Sequence, residues 1–237
     1  MWSNAKIAVV SGASRGIGAA IARSLAEHQL AVILLARNKE HLNQVTDYLK
    51  AEGGTALAYV CDITKPKDVK KLAEIIAGNN SKIELLINNA GISRTGAVEG
   101  MSVGDWNAVI NTNLTGSFML TQALLPVITE QRGQIVFINS VAGKQSFPNW
   151  AAYNASKAGL RALADTLRQE LTSRGIRVTS IYPAAVDTPI HDDLPYDWDR
   201  TKMMRARDIA EAVMYCYKQA PTVRINEIDL ENTAGTF

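Results

Sequence analysis

This sequence has little cysteine, no long apolar run and no excess of one charge sign. Its two cysteines, Cys61 and Cys216, lie far apart and match no metal-ligand spacing, so we predict no metal site. Two isolated thiols fit a reducing compartment, and we expect a cytoplasmic protein. No apolar stretch is long enough to span a bilayer, and we see no signal peptide before Lys6, so we expect no membrane association.

The charges are balanced along the chain. Lys and Arg number 25 against 23 Asp and Glu, and the net charge is +2. This distribution offers no basic footprint for a nucleic acid, so we expect no nucleic-acid partner. The 237 residues, of which 47% are apolar, predict instead one α/β domain over residues 1–237 with a full core.

A glycine-rich turn stands between a predicted strand and a predicted helix. Ile7–Val10 is a short apolar run typical of a buried parallel strand, and Ala19–Glu27 is an alanine-rich helical pattern. The turn between them reads Ser-Gly-Ala-Ser-Arg-Gly-Ile-Gly. This context is typical of dinucleotide binding, in which Gly12 allows the tight turn, Gly16 the approach of pyrophosphate and Gly18 close helix packing. The alternative is a plain glycine turn.

The second predicted strand, Ala31–Leu35, indicates which dinucleotide binds. An NAD site carries a carboxylate at the end of this strand for the ribose hydroxyls, whereas this chain has Ala36 and then Arg37. Arg15 lies within the glycine turn, and two guanidinium groups without a carboxylate suit the 2′-phosphate of NADP. Although Arg37 as a solvated strand-end charge is the alternative, the pattern favours NADP over NAD.

Polar and small residues follow two further predicted strands. Asp62 follows the third strand, Thr55–Cys61, where it either contacts an adenine amino group or simply makes a turn. Asn88–Gly91 follow the fourth strand, Ile83–Ile87, and their small size leaves room for a ligand close to the backbone. Because the carboxyl ends of parallel strands share one edge of a sheet, we expect these residues to gather at one ligand site.

Residues 139–157 carry the pattern that indicates catalysis. Ser140 follows an apolar run, Gln134–Asn139, while Tyr153 and Lys157 are four positions apart in a predicted helix and so share one face. A nearby ammonium favours the phenolate, which is expected to lower the tyrosine pKa from about 10 toward neutral pH. Tyr153 can then exchange a proton with a carbonyl oxygen that Ser140 hydrogen-bonds. The alternative is an ordinary tyrosine near a solvated lysine.

Two long helices and one irregular segment complete the predicted elements. Asp105 to about Gln131 is predicted as one helix that Pro126 kinks, and Ala151–Ser173 as another. Asn113 lies in the apolar middle of the first helix, either as a satisfied core amide or as a holder of relay water near the Tyr–Lys pair. We interpret the irregular stretch at about 188–205 as a substrate lid rather than a loose surface loop.

Six or seven apolar strands alternate with helices, which predicts a doubly wound α/β fold on a mostly parallel sheet with helices on both faces. From about Lys6 to Thr188 the chain resembles the short-chain dehydrogenase/reductase family, in its single-domain, NADP-preferring branch. The matching segments are Ser11–Gly18, Asn88–Gly91, Asn113, Ser140, Tyr153-x-x-x-Lys157 and Pro183–Thr188. The resemblance implies a Rossmann-type sheet of seven strands and a homodimer or homotetramer packed through the two long helices.

The resemblance also implies a role for the residues near the reacting centre. Tyr153 would be the general acid/base, and Lys157 would lower its pKa and bind the nicotinamide ribose. Ser140 would orient the substrate oxygen, and Asn113 would anchor a water in the proton relay. The implied catalytic residues are thus Asn113, Ser140, Tyr153 and Lys157.

Most of the site residues implied by the resemblance would contact the cofactor. The implied cofactor-binding residues are Gly12, Ser14, Arg15, Gly16, Ile17, Gly18, Arg37, Asp62, Asn89, Gly91, Tyr153, Lys157, Pro183, Val186 and Thr188. Within this set Asp62 would touch adenine, and the Val186 backbone and Thr188 hydroxyl would hold the carboxamide. The chain departs from the family pattern where Ser11 replaces the usual threonine, where Ala184 replaces the usual glycine, and where the C-terminal segment lacks a Gly-Gly pair.

These patterns together predict an NADPH-dependent oxidoreductase, a carbonyl reductase that converts a ketone, aldehyde or 3-oxoacyl group to an alcohol. The residues expected to shape a partly apolar pocket for this small-molecule substrate are Phe147, Trp150, Leu194, Tyr196, Trp198 and Met203. The alternative is a non-catalytic NADPH-binding sensor or scaffold. Such a protein would keep the nucleotide site and lose its catalytic side chains, whereas here Ser140, Tyr153 and Lys157 are all present.

Overall fold

The computed structural model describes residues 5–79, 81–192 and 194–235. The expectation that there is no signal peptide concerns residues 1–4, which lie outside the described residues. The strands are β1 Ile7–Ser11, β2 Ala31–Ala36, β3 Ala56–Val60, β4 Ile83–Asn88, β5 Gln134–Ile138, β6 Arg177–Pro183, β7 Val186–Asp187, β8 Met204–Arg205 and β9 Glu227–Leu230. The helices are α1 Gly16–Glu27, α2 Lys39–Ala51, α3 Pro66–Gly78, α4 Val103–Ile110, α5 Gly116–Leu124, α6 Ala151–Glu170 and α7 Ala206–Tyr217. None of these helices is long and apolar enough to cross a bilayer.

Seven of the described strands form one sheet in the order β3-β2-β1-β4-β5-β6-β9, and each neighbouring pair is parallel. All of β1 is buried, with Ala8 and Val10 facing α1 and α7, and Ile7 and Val9 facing α3, α5 and α6. Because alternate residues of a strand point to opposite faces, burial on both faces requires a continuous apolar run. The predicted doubly wound, Rossmann-type sheet of seven strands is confirmed, and it is parallel throughout rather than mostly parallel.

The helix predicted over Asp105–Gln131 is wrong in its ends and in its continuity. α4 begins two residues earlier because Ser102 caps it, its Oγ accepting the Asp105 N–H at 3.0 Å. A π-helical turn over Asn111–Thr115 separates α4 from α5. α5 then ends before Pro126, which has no N–H to continue the ladder, and Ile128 forms a parallel bridge to the start of β4. Pro126 therefore terminates the helix instead of kinking it.

Other predicted boundaries differ from the structure by a few residues. α6 ends at Glu170 instead of Ser173, and β3 covers Ala56–Val60 instead of Thr55–Cys61. Asn38 caps α2, because its Oδ1 accepts the backbone N–H three residues later at 2.9 Å. Such shifts at element ends leave the order of the strands unchanged.

Parallel pairing brings the carboxyl ends of the strands to one edge of the sheet. The predicted site residues follow these strands in order: Gly12 after β1, Arg37 after β2, Asp62 after β3, Asn89 after β4, Ser140 after β5 and Val186 after β6. Open parallel sheets bind their ligands outside this edge. The fold therefore gathers the predicted site residues, as their positions after successive strands predicted.

Candidate active site

The glycine turn after β1 packs directly on the end of β4. Asn89 Nδ2 donates to the carbonyl oxygens of Ser11 and Gly12 at 2.9 and 3.2 Å. In return, Ser11 Oγ accepts the backbone N–H groups of Asn89 and Ala90 at 3.0 and 3.1 Å. The Asn89 side chain therefore holds the turn in shape, and the Ser11 hydroxyl that replaces the usual threonine joins the two strand ends.

Two glycines of this turn have no space for a side chain. Gly12 has a φ of +66°, and an added Cβ there would lie 2.8 Å from Ala90 Cα. A Cβ on Gly18 would overlap the carbonyl oxygen of Gly12 and lie 2.5 Å from Asn89 Nδ2. The sequence predicts that Gly18 lets the helix pack closely on the sheet. In the structure, the group that leaves no room for a side chain at Gly18 is the turn itself.

A cavity of about 980 Å³ opens at the carboxyl edge of the sheet, at the upper end of the range of about 300–1,000 Å³ for small-molecule and cofactor sites. The predicted residues that line it are Gly12, Ser14, Arg15, Gly16, Ile17, Arg37, Asp62, Asn89, Gly91, Ser140, Tyr153, Lys157, Pro183, Val186 and Thr188. Gly18 and Asn113 do not line it. The described residues contain no group of three or more His, Cys, Asp or Glu that could hold a metal ion.

Two exposed guanidinium groups line one part of this cavity, where Arg15 precedes α1 and Arg37 follows β2. Burial acts to raise the pKa of the nearby Asp62, but hydrogen bonds from Thr64 and the charges of Arg37 and Lys65 hold it below its ordinary value. Asp62 Oδ1 accepts both the backbone N–H and the hydroxyl of Thr64, at 3.0 and 2.7 Å. Asp62 therefore makes the turn that the sequence allowed, and its contact with adenine stays a prediction.

Three of the four predicted catalytic side chains, those of Ser140, Tyr153 and Lys157, line the cavity near the end of β5. Ser140 follows β5 in extended backbone, and its Oγ accepts the Ala142 N–H at 3.1 Å. Lys157 is only 5% exposed. Its Nζ donates to the Ile138 carbonyl at 2.8 Å and lies 5.6 Å from the centre of the Tyr153 ring. The four-residue spacing thus brings Tyr153 and Lys157 to one face of α6, as predicted.

Burial dominates the acid–base properties of this pair. It raises the pKa of Tyr153 to about 12, and a hydrogen bond with Ser140 opposes the rise only in part. It also lowers the pKa of Lys157 to about 8. The predicted fall of the tyrosine pKa toward neutral pH is therefore wrong for the protein chain itself. At neutral pH Tyr153 carries its proton, and Lys157 is still mostly charged.

Asn113 lies in the π-helical turn between α4 and α5 and is fully buried. Its Oδ1 accepts the Ile92 N–H at 2.8 Å, and its Nδ2 donates to the Ile92 carbonyl and to Ser156 Oγ, both at 3.0 Å. The side chain thus ties the segment after β4 to α6, one residue before Lys157. This supports the core-amide alternative for the side chain, and a role in a proton relay stays a prediction.

The segment interpreted as a lid, at about 188–205, is only partly irregular. Turns of 3₁₀ helix cover Pro189–His191 and Arg200–Lys202, and β8 pairs with β7. Arg200 forms ion pairs with Asp187 and Asp192, at 3.3 and 2.6 Å. Position 193 lies outside the described residues. These contacts attach the segment to the chain that follows β6, and its action as a lid stays a prediction.

Aromatic rings join this segment to α6. Trp150 lies edge-on to Tyr153 with ring centres 5.5 Å apart, and Trp198 stacks near Trp150 at 6.1 Å. The residues that line the cavity as predicted are Phe147, Trp150, Leu194 and Trp198. The prediction is wrong for two residues, since Tyr196 stacks on Trp198 at 4.9 Å without lining the cavity and Met203 is buried.

Part of the lining was not predicted from the sequence. The additional residues with polar or charged groups are Asn38, His41, Ser93, Arg94, Thr112, Asn139, Gln145, His191, Glu231 and Asn232. His41 and Arg94 stand a few residues after predicted strand ends, so a wider search there would have found them. Asn232 contacts Ala185, a residue 47 positions earlier, and no local pattern signals such a contact.

Comparison with protein families identifies the chain. The family model described as short chain dehydrogenase matches residues 6–197. The chain belongs to the short-chain dehydrogenase family. This family membership makes it an oxidoreductase that uses a nicotinamide cofactor, and the glycine turn, with its two positions that exclude a Cβ, fits such a group.

Relatives and solved structures agree with this assignment. The chain is 33% identical to an uncharacterised oxidoreductase of Staphylococcus epidermidis, over 95% of this chain and 96% of the relative. It is 28% identical to an alcohol dehydrogenase of Thermococcus sibiricus complexed with 5-hydroxy-NADP, with a TM-score of 0.89 over 97% of each chain. It is 33% identical to a metagenomic short-chain oxidoreductase in complex with NADP, with a TM-score of 0.84 over 96% of this chain and 97% of that one.

Proposed function

We propose that this short-chain dehydrogenase is an NADPH-dependent carbonyl reductase acting on a ketone, aldehyde or 3-oxoacyl group. The observation that carries the proposal is that Ser140, Tyr153 and Lys157 line the same cavity as the glycine turn, Arg15 and Arg37. A nicotinamide cofactor supplies the hydride in such a reaction. The protein has to bind that cofactor, hold the carbonyl against it and deliver one proton.

The preference for NADP over NAD rests on Arg15 and Arg37. Their guanidinium groups border the cavity beyond the glycine turn, and each can bind a 2′-phosphate through paired hydrogen bonds. The complexes of the Thermococcus enzyme with 5-hydroxy-NADP and of the metagenomic enzyme with NADP support the same choice. At the other end, the Val186 backbone and Thr188 hydroxyl are the groups we assign to the carboxamide.

The proton comes from Tyr153. Because burial raises its pKa to about 12, the phenol is protonated at neutral pH and can donate to the carbonyl oxygen. Ser140 donates a second hydrogen bond to the same oxygen and holds it in place. The Lys157 ammonium stabilises the phenolate that remains after the transfer.

The substrate is expected to be largely apolar near its carbonyl. Phe147, Trp150, Leu194 and Trp198 border the cavity around Tyr153. Flat or branched apolar groups would be stabilised there by burial and by contact with the rings. This wall favours ketones with apolar substituents over small polar carbonyl compounds.

We also propose that the enzyme acts as a homodimer or homotetramer through α4, α5 and α6. Val103, Trp106 and Phe118 on α4 and α5 are exposed by 75%, 39% and 43%. Large apolar side chains exposed on neighbouring helices are typical of a protein interface. Cytoplasmic action stays a prediction that rests on the free thiols of Cys61 and Cys216.

The test is NADPH consumption, followed by absorbance, with a panel of ketones, aldehydes and 3-oxo esters. Tyr153→Phe should bind NADPH as the wild type does and abolish turnover, because the substitution removes only the phenolic hydroxyl, which carries the proton to be donated. Tyr215→Phe, on the exposed face of α7, is the matched control and should remain fully active. Full activity in Tyr153→Phe would refute the mechanism. Tight NADPH binding with no turnover across the panel would favour a non-catalytic sensor or scaffold.

A further inference from the structure

The side chain of Asn232 continues the sheet where its backbone pairing stops. β6 and β9 pair in register as far as Pro183 and Leu230, and the Ala184 N–H donates to the Leu230 carbonyl at 2.8 Å. At the next residue along, Asn232 Oδ1 accepts the Ala185 N–H at 3.0 Å and Asn232 Nδ2 donates to the Ala185 carbonyl at 2.9 Å. One amide side chain thus takes the place of a strand partner.

The same amide connects three separate parts of the chain. Asn232 is only 8% exposed, and its Nδ2 also donates to the Lys202 carbonyl at 3.3 Å. The Ala185 carbonyl in turn accepts the Met204 N–H at 3.1 Å. Asn232 therefore joins the end of β9 to the segment after β6 and to the 3₁₀ turn that precedes β8.

We propose that Asn232 is a positioning residue for the nicotinamide half of the cofactor. It fixes both backbone polar groups of Ala185, the residue directly before Val186. This inference deepens the proposed function, since it rests on the assignment of Val186 and Thr188 to the carboxamide. Asn232 acts through the backbone at Ala185, and it borders the cavity without belonging to the Ser–Tyr–Lys set.

The segment needs such a support because it projects beyond the edge of the sheet. The usual glycine is replaced here by Ala184, whose φ is not positive, so the substitution introduces no backbone strain. Inside the segment the Thr188 hydroxyl reaches the Val186 carbonyl only at 3.3 Å. The two bonds with Asn232, at 3.0 and 2.9 Å, therefore add to the backbone bonds of Ala184 and Ala185 and fix both polar groups of the residue before Val186.

The experiment compares two ligands that share the adenosine 2′-phosphate end. NADPH carries the nicotinamide half, and adenosine 2′,5′-bisphosphate does not. Asn232→Ala should weaken NADPH binding by about tenfold, as expected from two lost hydrogen bonds in one positioned segment, and leave binding of the bisphosphate unchanged. NADPH fluorescence and calorimetry measure the two dissociation constants without any substrate.

Two further variants test whether the effect is specific to the Asn232 amide. Asn232→Asp keeps the size and Oδ1 of the side chain and turns only the donor at Nδ2 into an oxygen facing two carbonyls, so it should show the same selective loss. Gln134→Ala removes a buried amide that donates to Thr179 Oγ1 at 3.0 Å, at the opposite edge of the sheet. This control should lower stability without changing the ratio of the two dissociation constants.

Three results would overturn the proposal: unchanged NADPH binding in both Asn232 variants, equal weakening of the two ligands, or the same selective loss in Gln134→Ala. A selective loss in the Asn232 variants alone would support it. The outcome is independent of turnover, so a panel of carbonyl compounds that fails to react would refute the proposed reduction and leave the binding comparison valid.

Discussion

Lys157→Met should change how the stability of this enzyme depends on pH. Lys157 is 5% exposed, and burial lowers its pKa from 10.5 to about 8. That difference corresponds to about 3 kcal/mol of folding free energy lost at neutral pH. Between the two values the unfolded chain binds more protons than the folded one. The stability of the wild type therefore rises with pH over this window, relative to a variant that has no titrating group at position 157.

The pH-dependent part of the change in unfolding free energy can be separated from the other effects of the substitution. Methionine also loses the hydrogen bond from Nζ to the Ile138 carbonyl, worth about 1 kcal/mol, but that loss is nearly the same at every pH. The difference in unfolding free energy between wild type and Lys157→Met should shift by about 2 kcal/mol in favour of the wild type between about pH 7 and about pH 9.5.

Urea unfolding of the cofactor-free proteins at the two pH values measures this shift. Lys71→Met, at an exposed position of α3, is the matched control and should follow the wild type at both pH values. A difference that stays constant with pH would refute the reasoning, because it would mean that Lys157 keeps its ordinary hydration. A difference that moves in favour of the variant would contradict the sign of the shift.

Three further predictions concern activity. Arg37→Asp should raise the dissociation constant of NADPH relative to that of NADH, because a carboxylate would repel the 2′-phosphate. An unchanged ratio of the two constants would contradict the assigned role. Trp198→Leu should reduce kcat/KM for aryl ketones more than for cyclohexyl ketones of similar size, because it removes an aromatic wall, and equal losses would disprove that contact. Alcohol oxidation should accelerate from about pH 7 to about pH 10. The raised pKa of Tyr153 means that the phenol still holds at neutral pH the proton that must be removed before oxidation. A slower reaction at high pH would contradict this prediction.

The sheet could be predicted because burial on both faces leaves a simple trace in the sequence. A strand such as β2 is covered on each side, so every residue from Ala31 to Ala36 is apolar and buried. The end of α5 could not be predicted in the same way. Residues beyond Pro126 are still apolar, but they are used by the bridge from Ile128 to the start of β4 rather than by a helix. Apolar character alone does not distinguish these two uses.

The site residues also fall into those that could be predicted from the sequence and those that could not. Residues that directly follow a strand or share one helix face, such as Arg37, Ser140 and Tyr153, were predictable because the sheet and the helix place them. Asn232 was not, since its contact with Ala185 spans 47 positions and depends on how β9 ends beside β6. Sequence patterns indicate which residues contact a ligand more readily than which residues hold those in position.

The acid–base behaviour of Tyr153 and Lys157 shows why spacing alone is insufficient. Four positions on a helix determine that the two side chains share a face, and a charged lysine near a phenol acts to lower its pKa. Spacing does not determine how much water each group keeps. In the folded chain burial is the largest influence on both groups, and it raises the pKa of Tyr153 while it lowers that of Lys157. A phenol that holds its proton at neutral pH is in the form that the proposed reduction requires, because that reaction takes the proton from Tyr153.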